Sequence, residues 1–412
     1  MKRAYPYFNG KDPDLDEKKF AREVENIGGR AYIVGGWVRD LIMERTSNDK
    51  DYVITGVAED IFTVKFPEAR RVGNSFPVYL MKIDGKSREV AFARQERKTG
   101  SGYRGFAVFY DPFVTIEEDL FRRDLTINSM ACSLTDDAII DPFGGAADIR
   151  SKIIRATSRH FPEDPVRALR AARQAAQLEF KIEQRTIGLM RDCGAELRRE
   201  PKERIFMEME KALAARCPSL FFRSLRKAAL LQIAFPLEHC RFLEEAFESA
   251  MIIMDRVASK TERPELRFAA LLYGAGKSED SGEAPPYCDN RAKNKLKILE
   301  EISGKMVIPR LWKRCAQLVI EKHTLTTYLA RPEEIRDLLT ALSKHPIGFD
   351  GFCIIIEAYY GFLPKYLAQH EKYMEAIREA QKADIPSSLH GAEIGAWRRQ
   401  LEIEAVAEVT RS

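Results

Sequence analysis

The stretch Tyr32–Asp40, YIVGGWVRD, followed by Asn48–Gly56, NDKDYVITG, decides how the rest of this chain is read. AYIV is a short apolar run that stops at Gly35-Gly36, and WVRDLIMER has the pattern of a helix that follows it. Side chains on an extended strand alternate faces, so Asp49 and Asp51 point one way and Lys50 the other. Two carboxylates on one face repel unless a cation sits between them, and the β-branched run YVITG is suited to hold them in place. A hard, oxygen-seeking ion such as Mg²⁺ is the expected occupant. Gly35 and Gly36 leave room for a phosphate to approach the backbone, the helix start offers free N–H groups, and Arg39 on its first turn can reach a triphosphate. Alone, DKD is as readily a solvated turn and GG a tight corner. In this order and spacing they form the pattern that metal-dependent transfer of a nucleoside phosphate requires.

Around that stretch, 412 residues with 45% hydrophobic content can bury more than one core. The 66 basic and 62 acidic residues nearly cancel, so a nucleic-acid partner must be sought in local clusters rather than in net charge. Seven cysteines (Cys132, Cys193, Cys217, Cys240, Cys288, Cys315 and Cys353) are scattered without a CxxC pair. That argues against a zinc site or a disulfide framework and for reduced thiols in a cytoplasm. The N-terminal segment has no apolar signal core and no apolar run approaches membrane-spanning length, so a soluble, cytoplasmic protein without a membrane partner is expected. Up to about Ile154, β-rich runs such as PVYLMKI, REVAFA and AIIDPF alternate with helical pieces; from about Pro162 onward the pattern is helical. The expected fold class is α+β, with a mixed-sheet head followed by an all-helical remainder. A polar stretch, Lys277–Lys295, reads as an exposed loop.

Two further constellations lie at Phe121–Asn128, FRRDLTIN, and Glu163–Arg173, EDPVRALRAAR. Pro165 suits a first helical turn and Asp164 its N-terminal edge. Asp164 and Arg167, three apart, set an acceptor beside a forked donor, which together can hydrogen-bond the edge of a base. The same spacing is that of an ordinary surface pair. Arg170 and Arg173 drift about 60° around the helix at each step of three, so they either spiral from a base toward a triphosphate or hold the helix against the head.

GGWVRD, the DKD pair, ARQERKTGSGYRGF, RRDLTIN, IIDPFGGAADI and EDPVRALRAARQAA resemble, in order and spacing, the bacterial-type (class II) tRNA nucleotidyltransferases and the related poly(A) polymerases. The likeness is continuous over about Ala31–Phe180. It implies a polymerase-β-type nucleotidyltransferase head followed by an elongated helical neck, body and tail. The corresponding divisions are 1–30 as an N-terminal extension, 31–155 as the head, 156–235 as a neck with the nucleotide-recognition helix, and 236–412 as body and tail. It implies that Asp49 and Asp51 hold two Mg²⁺ ions and that Gly35, Gly36, Arg39 and Arg123 meet the triphosphate. Asp164 and Arg167 would read CTP or ATP, with Arg170 and Arg173 completing the pocket. The implied reaction is untemplated addition of C, C and A to the 3′ end of tRNA, with no DNA partner. Glu89 is a candidate third carboxylate, and equally a structural charge on a strand.

Arg94–Phe106 reads as a flexible loop whose likeness to complete CCA-adding enzymes disfavours a CC-only enzyme. A-only addition stays open, poly(A) synthesis is the weaker alternative, and an RNA-binding protein that has lost turnover is the non-enzymatic one. Some relatives carry a metal-dependent phosphohydrolase marked by a form like LxHDxGK. The equivalent here, Arg267–Lys277, has Tyr273 and Gly274 in place of the His-Asp ligands, so no phosphohydrolase is expected, and His323 reads as a single, partly exposed histidine in preference to a remnant of that site. Basic clusters at Arg122–Asn128, Leu197–Arg204, Phe221–Ala229 and Ala292–Lys297 are candidates for phosphate contact, with Leu197–Arg204 preferred. Two features carry no assigned role: Trp37, which either packs against the neck or narrows the site, and DEKKFAREVENIG, which reads as a helix capping the head.

Overall fold

The computed structural model describes residues 15–72, 76–100, 105–235, 244–274, 289–323 and 330–411. The chain forms two compact units, one made of Met1–Ile205 with Arg223–Ala234 and the other of Phe206–Phe222 with Phe235–Ser412.

The first unit begins with α1 (Leu15–Asn26), β1 (Arg30–Val34), α2 (Gly36–Ile42), β2 (Asp51–Thr55), α3 (Glu59–Lys65), β3 (Arg70–Arg71), β4 (Val78–Ile83) and β5 (Lys86–Phe92). It continues through β6 (Arg94–Lys98), β7 (Phe106–Tyr110), α4 (Ile116–Phe121), β8 (Ala131–Ser133), β9 (Ile139–Ile140) and α5 (Gly145–Ser151). Seven strands form one sheet in the order β3-β4-β5-β2-β1-β8-β9, mixed because β2 and β5 run parallel while the other neighbours are antiparallel. The period of two divides its residues cleanly. Ala31, Ile33, Tyr52, Ile54, Val90 and Phe92 pack on one face with Phe20 and Val24 of α1 and Phe62 of α3. Tyr32, Val34, Val53 and Ala131 pack on the other with Ile116 and Leu120 of α4. The helix expected to cap the head is thus α1, and it belongs to the core. Trp37, partly buried, packs against that same α1-side cluster. Between β4 and β5, Asp84 (φ 56°) and Gly85 (φ 67°) are both left-handed, the two-residue turn whose twist suits a hairpin.

Arg94–Phe106 departs from the expected loop. Arg94 pairs with Tyr110 and Lys98 with Phe106, making β6 and β7 an antiparallel ribbon; residues 101–104 lie outside the described residues. Glycine and charge content outweighed the alternation of RQERK in the sequence reading, yet those side chains have partners: Arg94 and Arg122 meet Glu96, the neutral Gln95 donates to Glu118, and Lys98 meets Glu196.

A largely helical stretch follows: β10 (Ile153–Ile154), α6 (Val166–Leu178), β11 (Lys181–Ile182, parallel to β10), α7 (Gln184–Asp192), α8 (Gly194–Leu197), α9 (Lys202–Leu213), α10 (Ser219–Lys227) and α11 (Leu231–Ala234), with 206–213 of α9 and 219–222 of α10 belonging to the second unit. Ala168, Ala171, Ala172, Ala175 and Ala176 make α6 a slim, good helix former that packs closely, and Glu179 ends it at a left-handed φ of 59°.

In the second unit, α12 (Glu244–Ala258), α13 (Pro264–Gly274), α14 (Asp289–Lys305), α15 (Arg310–Lys322), α16 (Pro332–Lys344) and α17 (Gly348–Tyr360) precede α18 (Lys365–Ala368), α19 (His370–Ala380) and α20 (Ala392–Arg411). α13 is apolar nearly all round and lies between α12 and α15, with Phe268, Ala269 and Ala270 fully buried. Arg267 on α13, 2% exposed, is held by the carbonyls of Leu213, Ala215, Ala258 and Thr261. Of the polar stretch Lys277–Lys295, residues 277–288 lie outside the described residues, and from Asp289 it is α14 rather than loop.

Candidate active site

β1 stops at Gly35, whose φ of 77° and ψ of −134° turn the chain sharply into α2. A Cβ at Gly35 would stand 3.2 Å from Arg123 Nη1, so the missing side chain lets that guanidinium lie against the backbone. α2 is only seven residues long, shorter than WVRDLIMER suggests, because the chain leaves helical geometry at Met43 and turns left-handed at Glu44. Arg39 folds back over Gly36 and bonds Asp40 Oδ1 (2.8 Å), Asn128 Oδ1 (3.0 Å) and Gln174 Oε1 (3.3 Å).

Asp51 opens β2, opposite Val34 on one side and Glu89 of β5 on the other. Asp49, Asp51 and Glu89 are all exposed, at the end of the central strands where β1 hands over to α2. Desolvation by the surrounding protein pushes the Asp51 carboxyl up, Asp49 and Glu89 add repulsion, and Arg123 opposes them. The exposed residue thus has a crowded carboxylate, as groups awaiting a cation do. Among the described residues no three acidic, imidazole or thiol groups close into a metal cage. The donor set here is an open, all-oxygen edge, which fits a hard cation that keeps water and phosphate among its ligands.

Arg123 is aimed from below. Asp119, with no exposed surface, accepts from Arg123 at 3.0 Å, from Arg122 at 2.7 Å and from the backbone N–H of Arg94 at 3.3 Å. Burial alone would raise its carboxyl, but Arg122 and Arg123 outweigh burial and hold it below the usual range. Asp124 behaves alike: burial opposes ionisation, and Arg170, bonded at 2.6 Å, brings its carboxyl down to about 2. Asp119, Asp124, Asn128 and Gln174 escaped the sequence reading; the signal for the first two was their place within three or four residues of paired arginines.

On the neck side, the anticipated Asp164–Arg167 pair does not form. Asp164 sits before the helix in extended geometry (φ −111°, ψ 108°), caps the N–H of Val166, and has Arg204 at 3.5 Å. Arg167 is 9% exposed and donates to the carbonyls of His160 and Arg122. Helical spacing places neighbours on one face only if both residues are helical, and Asp164 is not. Arg170 ties α6 to Asp124, the holding role foreseen as one of its two alternatives. Arg173 donates to Gln177 on its own helix. Lys98 of the β6–β7 ribbon reaches the Glu163 carbonyl (2.9 Å) beside Asp164.

Basic clusters divide. In Leu197–Arg204, Arg198 and Arg199 are exposed while Arg204 is spent on Glu200 and Asp164. In Ala292–Lys297, Lys295 is 8% exposed with its ammonium 3.8 Å from the Tyr273 ring centre, so it is withdrawn from solvent. His323 likewise departs from the expected partial exposure. It is 8% exposed, edge-on to Tyr273 at 4.4 Å, and burial together with Lys295 lowers its pKa to about 4.

Residues 31–155 match the family model described as the poly(A) polymerase head domain, and residues 179–239 match a probable RNA- and SrmB-binding site of that polymerase. A multifunctional CCA protein of Methylococcus capsulatus is 34% identical over 406 residues, spanning 92% of this chain and 94% of its own. Another, of Teredinibacter turnerae, is 32% identical, spanning 89% and 94%. Among solved structures, a Thermotoga maritima CCA-adding enzyme complexed with tRNA matches with a TM-score of 0.67 at 20% identity, over 98% of this chain and 96% of that one. A CCA-adding enzyme with CTP matches at 0.66 and 21%, over 96% and 92%. These structures share the α+β fold.

Proposed function

Because this chain belongs to the family of bacterial CCA proteins, we propose that it adds C, C and A in turn to the 3′ end of tRNA, taking CTP and ATP as substrates and no nucleic-acid template. The observation that carries the reading is the acidic edge of Asp49, Asp51 and Glu89 standing on the sheet face that also bears Arg123, with Gly35 opening the backbone between them. Asp49 and Asp51 would hold Mg²⁺, with Glu89 as a third oxygen donor; the bound metal would supply a lowered pKa for the 3′ hydroxyl and neutralisation of the triphosphate charge. Members of this enzyme family are generally metal-dependent.

Arg123, steadied by Asp119, and Arg39, steadied by Asp40, Asn128 and Gln174, bind the triphosphate oxygens with pre-set forks, so little side-chain freedom is lost on binding. Gly35 and Gly36 admit the phosphates close to the chain. Asp164 accepts from the amino group that C and A both carry, and Arg167 keeps N–H groups beyond the two it gives to backbone carbonyls. G and U then leave donors and acceptors of this pocket unpaired, which costs binding free energy once the base covers them. Arg170 fixes the reading helix to Asp124, and Arg173 completes the wall. Arg198 and Arg199 meet tRNA phosphates. The cytoplasm, where both triphosphates and tRNA are present, is the proposed location; no described helix is long and apolar enough to cross a membrane.

Incubation of the protein with Mg²⁺, labelled CTP and ATP, and tRNA ending at the discriminator base tests this. Two C residues followed by one A are expected. Incorporation of A only, and only onto a CC end, would replace the reading with A addition; long A tails would make the protein a poly(A) polymerase. Absence of any incorporation would make it an RNA-binding protein.

A further inference from the structure

We infer that Glu17 of α1 is a positioning residue for the Asp49/Asp51 pair, acting through Lys50 and Tyr52; this rests on the reading of that pair as the metal-holding edge. Residues 49 to 52 alternate, with Asp49 and Asp51 toward the reaction face and Lys50 and Tyr52 toward the core behind it. One oxygen, Glu17 Oε1, accepts from both back residues: from Lys50 Nζ at 2.7 Å and from the Tyr52 hydroxyl. Glu17 is 5% exposed, and Lys50 also lies 3.5 Å from Asp84 and 5.3 Å from the Trp37 ring centre.

Each partner is itself fixed. Glu17 is on a helix whose Phe20 and Val24 are in the core, Asp84 is in the tight turn joining β4 to β5, and Trp37 is on α2. The front of the same segment is under mutual repulsion from Asp49, Asp51 and Glu89. Left to itself that edge would splay, and any rotation of the segment that separates the aspartates must pull Lys50 and Tyr52 off Glu17. A buried ion pair contributes little net stability compared with an apolar pair of similar size, so stability alone does not call for one here. What this pair adds is orientation: it holds the two carboxylates in the spacing a cation needs before the cation arrives. Trp37 and the N-terminal helix thereby share one role, to form the back wall of the acidic edge.

The test is the Mg²⁺ dependence of CTP incorporation, with melting curves, for the full-length protein and for Glu17→Gln, Lys50→Met, Lys50→Arg, the exposed-face control Lys18→Ala, and Asp49→Asn. Glu17→Gln and Lys50→Met should each raise the Mg²⁺ concentration for half-maximal rate by about 10-fold, the lower end of what lost support of metal ligands costs. At saturating Mg²⁺ their KM for CTP should stay at the wild-type value, Lys50→Arg should restore normal Mg²⁺ dependence, and Lys18→Ala should not differ from wild type. Folded Glu17→Gln and Lys50→Met proteins with wild-type Mg²⁺ dependence would overturn the inference. So would unfolding of both, because the contact would then serve stability alone. If Asp49→Asn keeps full activity, the reading of the acidic edge itself fails; if it is inactive while Glu17→Gln is normal, only the clamp fails.

Discussion

Replacing Asp119 with asparagine should weaken both the fold of the first unit and its hold on triphosphate. Oδ1 takes two bonds from Arg122 and one from the Arg94 backbone, and Oδ2 takes two from Arg123. Asparagine offers one acceptor oxygen and turns an NH₂ group toward the other guanidinium. Breaking one side of a buried, hydrogen-bonded ion cluster costs about 3–5 kcal/mol. At roughly 2–4 °C per kcal/mol for a unit of this size, the melting temperature should fall on the order of 10 °C. The sign with pH is also set. Asp119 titrates lower folded than unfolded, so its contribution is complete above the unfolded value of about 4 and is lost as pH falls through the lower folded value. The wild-type protein should therefore lose stability below about pH 4 more steeply than Asp119→Asn does. In steady-state assays, KM for CTP and ATP should rise more than kcat falls, because Arg123 loses its tether while the acidic edge is untouched. A melting shift under about 2 °C together with unchanged KM values would refute the reasoning.

Asp51→Asn relieves the repulsion with Asp49 and Glu89, so without divalent ions it should melt above wild type at neutral pH while losing nucleotide transfer; calorimetry with and without Mg²⁺ should find that the ion stabilises wild type only. Gly35→Ala forces a side chain into a φ of 77° with ψ −134°, sparsely populated backbone, and against Arg123, costing about 1–3 kcal/mol in strain and raising KM for both triphosphates in the incorporation assay. With Ni²⁺ or Mg²⁺ added, no hydrolysis of 2′,3′-cyclic phosphate should be measurable, since Tyr273, packed against buried His323 and under Lys295, offers no ligand to a divalent ion.

Sequence reading was strongest where one period governs many residues. The alternation around Asp49-Lys50-Asp51 separates Lys50 from the two acids, and the structure duly sends Lys50 to Glu17 and Trp37 on the other side of the sheet. The helix after Pro165 and the helical run beyond it were readable for the same reason. Partnerships across the fold were not. Asp164 is extended, so Arg204, forty positions on, is nearer to it than spacing within one helix would allow. Asp119 is buried because arginines from its own helix end fold back over it, a fact of packing that composition does not carry. Lys295 looked like one more surface charge until α14 turned it inward onto Tyr273. The β6–β7 ribbon was obscured by the glycine-rich sequence that separates its two strands.

The central claim is that Asp49 and Asp51 together hold the metal ions on which transfer depends, and a Mg²⁺ titration of C and A incorporation into tRNA lacking its CCA end tests it most directly. Wild type should show saturable, Mg²⁺-dependent addition of C, C and A, and Asp49→Asn should show a loss on the order of 1,000-fold at every Mg²⁺ concentration, the scale of removing a leading electrostatic contribution to catalysis. Undiminished incorporation by Asp49→Asn would contradict the account.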